Sequence, residues 1–327
     1  MTRSFPVARR LHGGNDYDDI RINIPASFAD VRQWLSERHH LPVVGNRWIN
    51  HAGLALAVIG NRLPATQGLF GMPIHDRQWF ARFQSYWSQV LGGVKIDPGD
   101  FYFLRSTYRQ KCEDRNRLSQ IGWDDGTQHL TNWQHPANLF HTFHFALKDA
   151  RVPVKGGTSL ARRTCGPGKR VLEFGCGLAP MYAARRRCYS HVLMQWTILD
   201  IENFPFHYAC QLYGNDASCE CVPVAVERMD APLSGQSQRY DVIYCQEVLE
   251  HSHAPLSIAQ YLLDHLVTGG TLVFDYMQSD GHGLDTLAGV EGRQETIAFL
   301  RQYLDIVHPR DTETWDFQSL TLGIKRT

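Results

Sequence analysis

Residues 171–180 read VLEFGCGLAP, and this decapeptide constrains the chain more than any other part of it. An apolar run carries an acid, Glu173, just before its end, then Gly175 and Gly177 follow with Cys176 between them, and Pro180 opens the next stretch. Glycine lets the backbone turn sharply and lets a ligand approach it closely. Proline suits the first turn of a helix, where its missing N–H costs nothing. The amino terminus of that helix carries unpaired amide donors. A dinucleotide loop built on the same logic prefers a third glycine about three residues on. Ala179 and Pro180 stand there instead. The acid before the first glycine also repels a pyrophosphate and suits a cationic group.

Strands and helices alternate from this point on. Strands are expected at 169–174, 192–199, 222–226, 240–245, 271–275, 306–307 and 320–325. Helices are expected at 180–189, 205–213, 255–266 and 291–304. This order predicts a doubly wound α/β fold, a Rossmann-like, mostly parallel seven-stranded sheet with an N-terminal mainly helical extension. Such sheets bind ligands outside the carboxyl ends of their strands. Asp200, closing the second strand, is placed to accept from both hydroxyls of a ribose. Asp230, after the third, can accept from an adenine amino group.

Residues 1–150 are expected to form a mainly helical substrate or cap domain, 151–168 a linker, and 169–327 the ligand-binding domain. In the first part, helices are expected from Ser27, from Asp76 to Leu91 with Trp79, Phe80, Phe83 and Trp87 at helical spacing, and from Pro136 to Ala150. The 33 basic and 33 acidic side chains cancel overall, which gives no hint of a polyanionic partner. They are unevenly spread: residues 1–190 hold 26 basic and 14 acidic side chains, against 7 and 19 in residues 191–327. A basic region of that kind can receive an anionic substrate, or two opposite faces can simply attract each other. The eight cysteines form no disulfide framework, and Cys219-Glu-Cys221 is too close for zinc spacing, so free thiols in a reducing cytoplasm are expected. No apolar run approaches the ~20 residues that cross a bilayer. The basic start lacks the apolar stretch of a secretory signal.

With these motifs in order over about residues 165–327, the sequence resembles the class I S-adenosylmethionine-dependent methyltransferases. The resemblance implies that Glu173, Gly175, Cys176 and Gly177 hold the methionine part of S-adenosyl-L-methionine. It implies Asp200 for the ribose, Met229 and Asp230 at the adenine, and Gln246 beside the sulfonium. Two departures stand out. The third loop glycine is Ala179, and the gap from Glu173 to Asp200 is long, so that Glu202 competes as the ribose ligand.

Just past the fourth strand comes Glu247-Val-Leu-Glu250-His251. If the chain turns helically there, positions i, i+3 and i+4 share a face. Two carboxylates and an imidazole would then converge in a way that suits a divalent cation. The segment resembles one in ubiquinone-pathway O-methyltransferases and in small-RNA 2′-O-methyltransferases, where it can bind Mg2+, and His282 would be a further ligand. Alternatively the segment is a scaffold without metal. His251 and Glu247 are the candidate catalytic residues, since a neutral imidazole can take a hydroxyl proton near neutral pH.

The acceptor is expected to be a small molecule or glycan, methylated on oxygen or nitrogen. An RNA 2′-hydroxyl is the alternative, and a non-catalytic cofactor-binding accessory protein is a third reading. The fourth motif, Gln-Glu-Val-Leu, lacks the Asn/Asp-Pro-Pro-aromatic and Pro-Cys patterns of DNA base methylation. Arg105, Arg109, Lys111, Arg115 and Arg117 could receive an anionic acceptor, and His129, His135, His141 and His144 cluster in sequence.

Overall fold

The computed structural model describes residues 74–86, 89, 160, 163–201, 203–225, 228–231, 233, 237–278, 285–309, 317 and 320–326. The helices expected from Ser27 and from Pro136, the Arg105–Arg117 group, the four clustered histidines, Glu202 and His282 lie outside the described residues. Helix α1, Ile74–Ser85, belongs to one unit (residues 1–112 and 135–147), and every other element belongs to a second (residues 113–134 and 148–327). Phe80, Phe83 and Tyr86 of the first unit are buried, with the two phenyl centroids 6.2 Å apart.

The second unit is built on seven strands: β1 Arg170–Phe174, β2 Gln195–Ile201, β3 Cys219–Val224, β4 Tyr240–Cys245, β5 Leu266–Phe274, β6 Leu304–His308 and β7 Thr321–Lys325. Their spatial order is β3-β2-β1-β4-β5-β7-β6. The first five pair in parallel, while β7 runs antiparallel between β5 and β6. The helices are α2 Pro180–Cys188, α3 Phe204–Tyr213, α4 Pro255–His265, α5 Leu287–Glu291 and α6 Arg293–Tyr303. The expected doubly wound, mostly parallel seven-stranded sheet is therefore what forms.

Burial explains which sequences became strands. β4, at the centre, reads YDVIYC and is buried at every position but Asp241. That is the continuous apolar run of a parallel strand covered on both faces. One face meets α4 and α6 through Leu172, Ile243, Ile258, Leu262, Leu272, Phe274, Leu300 and Leu304. Each such side chain contributes roughly 1.5–3 kcal/mol by leaving water. The other face is aromatic: Trp196 stacks on Tyr244 at 5.9 Å and Tyr182 meets Tyr213 edge-on at 5.0 Å. Within the stretch read as a linker, Leu160 and Thr164 are buried, and the Thr164 hydroxyl bonds that of Tyr244.

Several boundaries differ from the sequence expectation: β2 runs Gln195–Ile201 rather than 192–199, β5 Leu266–Phe274 rather than 271–275, and β6 Leu304–His308 rather than 306–307. β3 starts at Cys219 rather than 222, because Trp196 to Ile201 of β2 offer it six consecutive partners. Pro223 is tolerated within it because β3 is an edge strand and needs no outward donor. The helix expected at 291–304 forms as α6, Arg293–Tyr303, and a short helix that was not expected, α5, precedes it and closes at Gly292.

Candidate functional site

The strand order reverses direction between β1 and β4, and sheets of this kind bind ligands outside the carboxyl ends of the strands at that point. Three residues of the loop leaving β1 have left-handed backbones: Gly175 (φ 61°), Gly177 (φ 50°) and Ala179 (φ 53°). The two glycines do different jobs. A Cβ on Gly175 would stand 2.4 Å from Val248 Cγ2, so this glycine permits contact between the loops after β1 and β4. A Cβ on Gly177 would meet no atom within 4 Å, so this glycine borders open space. Ala179 holds a left-handed conformation that costs a residue with a Cβ about 1–2 kcal/mol.

Glu173 is arranged differently from the expectation that it grips a cationic group. Its carboxylate is buried, accepting from the amides of Met181 (2.9 Å) and Tyr182 (3.0 Å) and from the Trp196 indole (3.3 Å). The positive end of α2 is its partner, and α2 has no acid of its own in the first turn. Cys176 donates its amide to Leu199 O at 3.1 Å, tying the loop to β2, and burial pushes its thiol well up.

Asp200 sits beside this loop at the end of β2. One oxygen accepts from Gly177 N at 2.6 Å, and the other accepts from Ile201 N (2.7 Å) and Asn203 Nδ2 (3.3 Å). Burial pushes its carboxyl up to about 6, against the pull of those donors. Asn203 meanwhile caps α3 by accepting from Phe206 N at 2.9 Å. Met229 and Asp230 are half-buried in the turn after β3, with Met229 packed on the core. Gln246 is half-buried directly after β4.

The Glu247–His251 segment departs from the expected helix. Glu247 has a left-handed backbone (φ 53°) and is exposed, and only Leu249–His251 form a single 3-10 turn. Glu247 N donates to Asp275 Oδ1 at 2.6 Å, which holds the chain in the bend. The i, i+3, i+4 face therefore never forms, and Glu247, Glu250 and His251 do not converge. Among the described residues no group of three or more acids, cysteines or histidines could hold a metal ion. The Mg2+ expectation is corrected accordingly for these three ligands.

Glu250 is instead buried at 2% exposure, and its Oε2 has no hydrogen-bond partner among the described residues. Burial pushes this carboxyl up to about 7, with His251 pulling the other way. His251 lies with Nδ1 2.9 Å from Asp285 Oδ1. The sequence motifs assign no role to Asp275 or Asp285. Asp275 closes a strand, as Asp200 does, and that was the available signal. Asp285 directly precedes Thr286, the cap of α5, in a loop where sequence spacing alone assigns no partner.

A family described as a methyltransferase domain matches residues 154–319. The chain is a class I S-adenosylmethionine-dependent methyltransferase. This methyltransferase is 27% identical over 226 residues to a ubiquinone biosynthesis O-methyltransferase of Xylella fastidiosa (strain M23), covering 67% of this chain and 80% of that one. It is 30% identical over 116 residues to a tRNA U34 carboxymethyltransferase of Haemophilus influenzae (strain PittEE), covering 35% and 34%. Among solved structures, a methyltransferase from Pyrococcus furiosus shares 15% identity at a TM-score of 0.35, with 54% of this chain and 83% of that chain covered.

The residues present fit an adenosylated sulfonium. Open space borders Gly177, and Asp200, with three of about four lone-pair sites taken by protein donors, keeps one on Oδ2 for a hydroxyl donor.

Proposed function

We propose that this methyltransferase moves a methyl group to an oxygen or nitrogen of a small-molecule or glycan acceptor, with His251 removing the acceptor's proton. The cofactor supplies an activated methyl on a sulfonium, ready for in-line displacement. The chain then has two tasks: to hold the acceptor in line and to take its proton. Asp200 is the ribose anchor, Met229 and Asp230 flank the adenine, and Gln246 lies toward the sulfonium. Glu173 acts indirectly, by fixing the amino terminus of α2 and so the shape of the glycine loop.

The observation that carries this reading is the contact between Gly175 and Val248. It sets the turn bearing His251 against the cofactor loop, where a methyl donor and an acceptor would meet. Likeness to a ubiquinone biosynthesis O-methyltransferase over two thirds of the chain favours a small oxygen acceptor. No helix among the described residues is long and apolar enough to cross a membrane. A cytoplasmic location is part of the proposal.

The test is a labelled-methyl transfer screen over phenolic, sugar-phosphate and RNA pools with the full chain. Label in a small molecule, lost in His251→Ala while cofactor affinity by calorimetry stays within about twofold, is the expected result. Label in RNA, or full turnover by His251→Ala, overturns the acceptor class or the base respectively.

A further inference from the structure

We propose that Cys221 is a peroxide-reactive thiol that closes onto Cys210, forming a disulfide between β3 and α3. The proposal stands apart from the choice of acceptor and of catalytic base. Cys210, Cys219 and Cys221 are free thiols. Two of them make up the Cys219-Glu-Cys221 pair, whose spacing does not suit zinc.

The fold brings the third thiol beside that pair. Phe206, Cys210 and Tyr213 stand at i, i+4 and i+7 of α3 and are buried, so they share the face laid on the sheet. Tyr213 meets Tyr182, and Tyr182 packs on Trp196 of β2 at 5.6 Å. Trp196 and Ile198 are the register partners of Cys219 and Cys221, so both thiols project on that same side of the sheet. The last turn of α3 completes the approach. Gly214 N donates to Cys210 O at 2.7 Å, and a Cβ on Gly214 would stand 2.6 Å from that oxygen and 4.0 Å from Cys221 Sγ. The thiols of Cys210 and Cys219 both contact Cys221.

Exposure and electrostatics select Cys221 as the reactive member. It is half-buried, whereas Cys210 and Cys219 are 5% and 9% exposed, so peroxide meets Cys221 first. The thiols of Cys210 and then Cys219 hold Cys221 below the ordinary thiol range, against burial, and are themselves pushed up. The thiolate is the nucleophilic form. Strand geometry selects Cys210 as its partner. Same-face Cβ atoms two residues apart on a strand are about 6.5 Å from each other. A disulfide needs roughly 3.5–4.5 Å. Cys219 would reach Cys221 only by buckling β3, so its part is to support the thiolate. In the first step the Cys221 sulfur attacks a peroxide oxygen: an S–O bond forms, the O–O bond breaks, and the leaving hydroxide takes a proton to become water. In the second, the Cys210 sulfur attacks the sulfenic sulfur: the S–S bond forms, the S–O bond breaks, and the Cys210 proton leaves with a second water. The sulfur pair is oxidised by two electrons and peroxide is reduced by two.

The experiment maps the bond in the full chain. Reduced protein is treated with hydrogen peroxide, denatured in an alkylating agent, and cleaved after Tyr213 and after Glu220, which puts the three cysteines on three peptides. Mass spectrometry should find the Cys210 peptide joined to the Cys221 peptide, with Cys219 alkylated. At about pH 7 the thiol should be lost about tenfold faster than that of free cysteine. Cys210→Ser should leave Cys221 as a sulfenic acid that a cyclic dione captures, and Cys221→Ser should form no such bond. Wild-type protein with all three thiols alkylated, a Cys219–Cys221 bond in its place, or a rate no faster than free cysteine overturns the proposal without any variant. Neither readout depends on methyl transfer, so a failure of the proposed acceptor or base is read separately.

Discussion

The position a Cβ would take on Gly175 lies 2.4 Å from Cγ2 of Val248, so the loops after β1 and β4 meet through an absent side chain. Gly175→Ala would add a clash to a left-handed strain of about 1–2 kcal/mol. Overpacking of this kind typically costs another 1–3 kcal/mol. Denaturant unfolding should show a loss of roughly 2–5 kcal/mol. Adding Val248→Ala should recover about 1 kcal/mol or more as a coupling between the two sites. Additive losses would show that the two loops do not touch. Gly177→Ala makes the contrast: it shares the left-handed strain, but its methyl would enter open space, so it should lose less stability than Gly175→Ala and weaken cofactor binding.

Glu173→Gln should cost roughly 2–3 kcal/mol of stability. The carboxylate takes three donors from two elements, and hydrogen bonds to a charged group are worth about 1.5–3 kcal/mol. A glutamine presents an N–H2 group to donors already aimed at it. Calorimetric cofactor binding to the folded fraction should fall less than the fold stability does. A variant of normal stability with abolished binding would make Glu173 a direct ligand instead.

Cofactor affinity should decline on the acid side. Burial first of all pushes Asp200 up to about 6, and the ionised form is the one that accepts from hydroxyl groups without giving a proton. Below that value the carboxylate is lost, and affinity should drop up to tenfold per pH unit. Asp200→Asn should bind weakly at pH 8 and show no such acid limb. Calorimetry between pH 5 and 8 decides it, and an acid limb that persists in the variant would point to a different group.

Glu250 should make the fold less stable as the solution becomes alkaline. Its carboxyl is held near 7 by burial, against an ordinary value of 4.5, so the folded chain binds more protons than the unfolded one between those values. Stability from this group is therefore present below about pH 4.5 and is lost as pH rises to about 7. Glu250→Gln does not titrate. Its stability relative to wild type should rise by about 1 kcal/mol or more from pH 4.5 to 8, measured by urea unfolding. A flat difference would mean that Glu250 is solvated.

Much of this protein could be read along one line of sequence. The alternation after Lys169, the glycine loop and the acids closing β1 and β2 were all local patterns, and strand burial enforces them. Other features required partners distant in the chain. Glu173 shows its carboxyl at the loop in sequence, yet the fold turns it beneath α2, whose amides satisfy it. The Glu247–His251 motif reads as a helical face, but Asp275, 28 residues later, pulls Glu247 into a bend that breaks the face. Asp285 became visible only when the fold set it beside His251. Periodicity and local conformational preference depend on near neighbours and so are written in the sequence itself. The direction of a buried polar side chain is decided by whichever distant donor or acceptor satisfies it, and only the packed chain brings that partner into reach.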